Sequence, residues 1–287
     1  MRGRVLLFTQ GFAGELLYEA LEKRGITLIV YTYAMNVGRR RVDRAYLREG
    51  YPYRYINERA FDCSKIEARS GDVILCAEWT KDFFHNAKNL AVPVYHLHFS
   101  LLPSYRGYGA VSEQFLRGVS VAGVTLYRDN GRIDAGPVAY QRKVRIGHNL
   151  MPEDYIRACV KEVPAWVSEL TDGVELKLRE QDETRAFYVQ RRRRLMGLLD
   201  LNANALYVYN TVRAYSRPYF GSYFYHNGEK ITVWRAQCER WAGVYGAPGE
   251  ILGRTVNGVE LACGEGSILL TETEINRTVF KFDGIPL

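Results

Sequence analysis

The sequence predicts an α/β protein in two parts: a parallel, doubly wound sheet within residues 1–178 and a smaller antiparallel β-barrel within 201–287, with a linker at 179–200. Three observations predict this. Apolar runs of strand length alternate with amphipathic stretches through the first half, the order that builds a parallel sheet covered by helices. In the last third, five short strand-like runs follow one another closely, which suits a small closed or nearly closed barrel. Between them the charged segment REQDETRAFYVQRRRRLMGL, from Arg179 to Leu198, breaks both patterns.

In chain order, RVLLFT (4–9) reads as a strand, AGELLYEALEKRG (13–25) as an amphipathic helix, and ITLIVYTY (26–33) and YRYI (53–56) as strands. A helix near 59–69 leads to the strand DVILCA (72–77), the helical TKDFFHNAKN (80–89) and the strand VPVYHLH (92–98). A short helix from Ala110 to Leu116 precedes VAGVTLYR (121–128) and PVAYQRKVRI (137–146), and the intervening DNGRIDAG has hairpin-turn composition. PEDYIRACVKEVPAWVSEL has the pattern of a long amphipathic helix with Pro152 in its first turn, and Pro164 should kink or split it. Past the linker, the helix ANALYVYNTVRAY precedes the strands GSYFYH, KITVWRAQ, GEILGRTV, GVELACG and SILLTE.

With 47% hydrophobic and 25% charged residues the composition is that of a soluble globular protein. No apolar run approaches the roughly 20 residues of a membrane span. The N-terminal MRGRVLLFTQGFAG reaches glycine too early for a signal peptide, so cytoplasmic residence is the expectation. Cys63, Cys76, Cys159, Cys238 and Cys263 are scattered without C-x-x-C spacing, which supports neither a disulfide framework nor a thiolate zinc site. The net charge of +7 favours an anionic partner, either a phosphorylated small molecule or a nucleic acid. Its basic residues concentrate in GRRRVDR (38–44) and QRRRRL (190–195), runs that serve either as solvated loops or as ligand contacts. The loop TQGFAG carries Gly11 and Gly14 without the full G-x-G-x-x-G pattern, which argues against a nicotinamide cofactor.

The chemistry concentrates in YHLHFSLLPSYRG (95–107). On a strand, period two puts His96 and His98 on one face, where the pair could bind a metal, move a proton or pack. The turn that follows offers an exposed Arg106 and the glycines Gly107 and Gly109, which allow close approach to the backbone. In GRIDAGP, Asp134 occupies a glycine-flanked turn where a buried carboxylate needs a partner. A carboxylate beside an imidazole orients the ring and stabilises its protonated form, the arrangement acyl transfer to an amine requires.

H-L-H-F-S-L-L-P-S-Y-R-G, the downstream Gly123–Leu126 and I-D-A-G-P-V from Ile133 resemble, in order and spacing, the motifs of formyltransferases that use 10-formyltetrahydrofolate. This group includes methionyl-tRNA formyltransferase and the sugar N-formyltransferases. VRAYSRPYFGSYFYHNGEKITVWRAQ (212–237) is similar to the segment leading into the family's C-terminal barrel. The resemblance implies a Rossmann-like catalytic domain, an OB-like C-terminal domain, and 10-formyltetrahydrofolate as co-substrate without a metal. It places His98 at the catalytic histidine and Asp134 at the catalytic aspartate. His96 stands where the family has asparagine, and as a replacement oxyanion donor it offers an imidazole N–H. Arg106, Gly107 and Arg217 become candidates for the anionic substrate, and Trp79, Leu101 and Leu102 for the folate cleft.

Two other classes remain open at the level of sequence. His96, His98 and Asp134 suit a metal-dependent hydrolase in ligand type and number, and a folate-binding homologue impaired in catalysis would keep the same motifs. Within formyl transfer, the C-terminal segment points to a nucleotide-linked amino sugar as acceptor, while the basic runs also suit transfer RNA. Oligomeric state is not legible.

Overall fold

The computed structural model describes residues 3–33, 53–56, 66–79, 90, 92–191, 193–275 and 278–281. The chain divides into two compact units. The first comprises Met1–Tyr108, Val121–Arg145 and Ile156–Val189; the second comprises Gly109–Ser120, Ile146–Tyr155 and Gln190–Leu287. Residues 179–189, expected to begin a linker, therefore belong to the first unit. The expected helix at 80–89 and the basic run at 38–44 lie outside the described residues. Of the helix expected at 59–69, only 66–69 is described, and those residues are not helical.

The first unit is built on β1 (Val5–Thr9), β2 (Leu28–Tyr33), β3 (Tyr53–Ile56), β4 (Val73–Ala77), β5 (Val94–His98), β6 (Val121–Arg128) and β7 (Val138–Arg145), paired in the order β3-β2-β1-β4-β5-β6-β7. The pairings from β3 to β5 are parallel, whereas β5–β6 and β6–β7 are antiparallel, so the expected parallel sheet is mixed. The hairpin turn after β6 returns the chain at once, which a parallel pairing cannot do. Every residue of VLLFT in β1 and VILCA in β4 is buried, as central strands covered on both faces require. Each fully buried leucine there contributes about 1.5–3 kcal/mol of hydrophobic stabilisation.

Helix α1 (Gly11–Lys23) buries Ala13, Leu17 and Leu21 at i, i+4, i+8, with Gly14 and Tyr18 beside them. It ends in a Schellman motif: Gly25 N donates to the Glu22 carbonyl and Ile26 N to Leu21. Gly25 supplies the left-handed φ of +75° that this closure needs. Following α2 (Ala110–Leu116), the anticipated long helix is split into α3 (Pro152–Val160) and α4 (Val163–Thr171), with Pro164 in the first turn of α4. There its missing N–H costs nothing, whereas continuing α3 through it would forfeit a backbone bond.

In the second unit, α5 (Ala205–Tyr215) starts at Asn204, whose side chain accepts from Tyr207 N at 2.8 Å. Strands β8 (Ser222–His226), β9 (Glu229–Arg240), β10 (Ile251–Thr255), β11 (Gly258–Ala262) and β12 (Ser267–Ile275) pair antiparallel in the order β10-β11-β12-β9-β8. A sixth strand, β13 (Thr278–Lys281), adds to the second half of β12. Register shifts along β9–β12 bend these long strands, and Val208, Val212, Val233, Ala236, Ile268 and Leu270 fill the core between helix and sheet. Among the described residues, no helix is long and apolar enough to cross a membrane.

Candidate active site

On β5 the burial alternates: Tyr95 and Leu97 are buried, while Val94, His96 and His98 are partly exposed. Both histidines thus share a face, as the strand period requires. Antiparallel pairing sets Tyr127 opposite His96 and Thr125 opposite His98. The site is assembled on this face by β5, β6, the turn after β5 and the turn after β6.

The two nitrogens of His98 have different partners. Nε2 lies 2.8 Å from the Tyr105 carbonyl oxygen, which only accepts, so Nε2 carries the proton. Nδ1 is therefore the basic nitrogen of the neutral ring, and it faces Asp134 Oδ2 at 3.5 Å. Tyr105 has φ +61° and Asp134 φ +50°. For a bulky residue such as tyrosine the left-handed conformation costs about 1 kcal/mol or more, and it aims the carbonyl at His98.

Asp134 is itself held at both oxygens. Oδ2 accepts from Gly107 N at 2.6 Å, and Oδ1 accepts from the Tyr127 hydroxyl at 2.7 Å. Burial, and then the adjacent Asp134 charge, pushes the Tyr127 phenol well above its ordinary range, so it remains a donor. The loop before it is fixed by Thr125, whose hydroxyl donates to the Ser100 carbonyl at 2.6 Å and accepts from Leu102 N and Gln141 Nε2 at 3.2 and 2.9 Å.

His96 makes a second pair. Its Nε2 lies 2.7 Å from Asp129 Oδ2, and its ring stacks on Tyr127 with centroids 5.1 Å apart. Asp129 Oδ1 accepts from Gly131 N at 2.6 Å, which makes the DNG turn the holder of this carboxylate. His96, His98 and Asp134 therefore do not converge as ligands, and among the described residues no group of three His, Cys, Asp or Glu side chains could hold a metal ion.

The remaining sequence candidates separate. Arg106, expected to be exposed and to meet an anionic substrate, is instead fully buried. Its guanidinium is taken up by Gln181 and Glu183, a pairing that sequence distance hid. Gly107 was expected to admit a ligand, yet a Cβ there would lie 2.4 Å from the Val189 carbonyl, so the glycine admits the chain's own backbone. Leu102 is buried, with its carbonyl accepting from Gln141 Nε2 at 2.9 Å, and half-buried Leu101 packs against Gly123. Trp79 belongs to a core cluster and packs edge-on to Phe8 at 5.4 Å. Arg217 lies in the second unit, paired with Glu272 at 2.7 Å and stacked over Trp234. Asp129, Tyr127, Thr125, Gln141, Gln181 and Glu183 went unrecognised. Two of them had a visible signal: Thr125 lies within the Gly123–Leu126 motif, and the D-N-G context of Asp129 read as turn chemistry alone.

Fold and site together define the class: an α/β protein with a histidine–carboxylate pair at the carboxyl edge of its sheet. Comparison with known proteins gives the family. Residues 5–171 match the formyl transferase model and residues 193–278 that of the formyl transferase C-terminal domain. The chain belongs to the formyl transferase family. HypX from Aquifex aeolicus, solved in complex with tetrahydrofolic acid, is similar over 98% of this chain at 17% identity and a TM-score of 0.70; the match covers 46% of HypX, so the chain spans about half its length. The N-formyltransferase from Helicobacter canadensis, solved with folinic acid and dTDP-3-aminofucose, matches 93% of this chain and 98% of its own, at 12% identity and a TM-score of 0.64. Methionyl-tRNA formyltransferase from Clostridium thermocellum matches 83% and 93% respectively, at 15% identity and a TM-score of 0.59. At these identities the likeness is one of fold.

Proposed function

We propose that the chain transfers a formyl group from 10-formyltetrahydrofolate to a primary amine, with His98 as general base and a nucleotide-linked amino sugar as acceptor. The observation that carries this reading is the division of roles on His98: Nε2 is committed to the Tyr105 carbonyl at 2.8 Å, leaving Nδ1 basic and facing a carboxylate at 3.5 Å. Family membership supports formyl transfer. The relatives solved with a folate and with dTDP-3-aminofucose support the co-substrate and the class of acceptor.

The folate, when bound, supplies the formyl carbon and a leaving nitrogen that needs a proton. His98 Nδ1 takes a proton from the amine as its bond to carbon forms. The imidazolium so produced faces Asp134, whose two oxygens are kept in place by Gly107 N and Tyr127 Oη. His98 then returns the proton to the departing nitrogen, which restores the starting ring.

In this reading His96 stabilises negative charge developing on the formyl oxygen. Because Nε2 is paired with Asp129, its contribution is the positive charge of the protonated ring. His96→Ala is expected to lower kcat by about 10²- to 10³-fold, the range for loss of one group stabilising an oxyanion, read by steady-state kinetics of amine formylation. A rate equal to or above that of the wild type would show that histidine contributes nothing there.

The function itself is tested by an acceptor screen with 10-formyltetrahydrofolate, scored by the mass gain of one formyl group, with His98→Ala as control. Formylated nucleotide-linked amino sugar is the expected product. Formylation of charged transfer RNA with steep salt dependence would reassign the acceptor. Saturable folate binding with no amine formylated would overturn the enzymatic reading.

A further inference from the structure

The buried guanidinium of Arg106 is saturated. It has five N–H donors, and its contacts engage all three nitrogens. Nε and Nη2 reach Gln181 Oε1 at 3.2 and 2.9 Å, Nη2 and Nη1 reach the Glu183 oxygens at 2.9 and 3.0 Å, and Nη1 also reaches the Tyr188 hydroxyl at 3.4 Å. Burial by itself would lower the Arg106 pKa, but the hydrogen bonds to Glu183 and Tyr188 outweigh it and hold the group above its ordinary value. The same contact, the bond from Arg106, draws the Glu183 carboxyl below its ordinary range.

Gln181 is equally committed. Its oxygen accepts from Arg106, and its nitrogen donates to the Asp134 carbonyl at 3.0 Å and the Gly136 carbonyl at 2.7 Å. Reversing the amide would set NH2 against the guanidinium and oxygen against two carbonyls, so the orientation is determined. One side chain thus grips the turn that bears Asp134. Through Arg106 it also grips the residue before Gly107, whose N–H holds the Asp134 carboxylate. The backbone of 187–189 adds a short parallel bridge: Arg106 N donates to the Phe187 carbonyl at 3.0 Å and Val189 N to the Arg106 carbonyl at 2.7 Å.

We propose that Gln181 and Glu183 are positioning residues for the reaction, acting through Arg106 to set the backbone that presents Asp134 to His98. This rests on the reading of His98 and Asp134 as the catalytic pair. Neither residue needs to touch substrate. Asp134 has a positive φ, and its carbonyl is drawn into place by Gln181. Removing that grip lets the turn relax, and the carboxylate moves with it.

The test follows the His98 imidazole by nitrogen NMR across a pH titration, in the full chain, for wild type, Asp134→Asn, Gln181→Leu and Glu183→Gln, with His98→Gln assigning the resonance. Among the described residues, Asp134 is the carboxylate facing His98, and His96 and Tyr127 are titratable neighbours on that sheet face. Gln181→Leu should displace the titration in the direction of Asp134→Asn and lower kcat by about 100-fold with an unchanged KM for the folate, as expected for a small misplacement of a catalytic group. Glu183→Gln, at an exposed carboxylate that the fold does not bury, should displace it in the same direction by less, and it serves if Gln181→Leu does not fold. If Asp134→Asn moves the titration and neither other variant does, the positioning role is overturned and the catalytic pair stands. If Asp134→Asn itself leaves His98 unmoved, the pair fails and the positioning role with it.

Discussion

His98→Gln is expected to lower kcat by about 10²- to 10⁴-fold, the range for loss of a positioned general base, while folate affinity stays near that of the wild type. Glutamine can still donate to the Tyr105 carbonyl from its amide nitrogen, so the turn keeps its partner. What it lacks is a nitrogen that takes up a proton. Imidazole added to His98→Ala should restore part of the rate, and the restored rate should follow the fraction of neutral imidazole. Steady-state kinetics with the formylated amine as readout decide the matter: a glutamine variant with wild-type kcat means that the proton leaves by another route.

Asp134→Asn carries the next largest effect. The carboxylate accepts from two donors, Gly107 N and Tyr127 Oη, and turns the oxygen bonded to Gly107 toward His98 Nδ1. An amide has one oxygen. If that oxygen stays on Gly107 N, the NH2 meets the Tyr127 hydroxyl, which must rotate to accept and then leave its own proton without the carboxylate. The charge opposite Nδ1 is lost as well. A fall in kcat of about 10²- to 10⁴-fold is expected. A stability loss of about 1–3 kcal/mol is expected from the unmade buried hydrogen bond, read as a lower urea midpoint. Unchanged activity in a folded variant would remove Asp134 from the mechanism.

The sequence showed strands well where burial was complete. VLLFT and VILCA are continuous apolar runs because both sheet faces are covered, and such runs need no partner to be recognised. The split between α3 and α4 was legible from Pro164, since a missing N–H is a local property. β13 was not, because four residues have no periodicity of their own and owe their conformation to β12. The contacts of the charged stretch were hidden for a related reason: Gln181, Glu183 and Tyr188 look solvated until Arg106, Ile133 and Asp134 are seen beside them.

The sequence alone determined the alternation that makes the α/β sheet, the strand period that places His96 and His98 on one face, and the motifs that carry the family. These depend on residues near one another in the chain. Tertiary structure alone decided which nitrogen of His98 is basic, that His96 pairs with Asp129 and stacks on Tyr127, and that Arg106 is an internal clamp. Each of those outcomes depends on a carbonyl, carboxylate or ring brought from a distant segment, and hydrogen-bond geometry has no signature in a one-dimensional pattern.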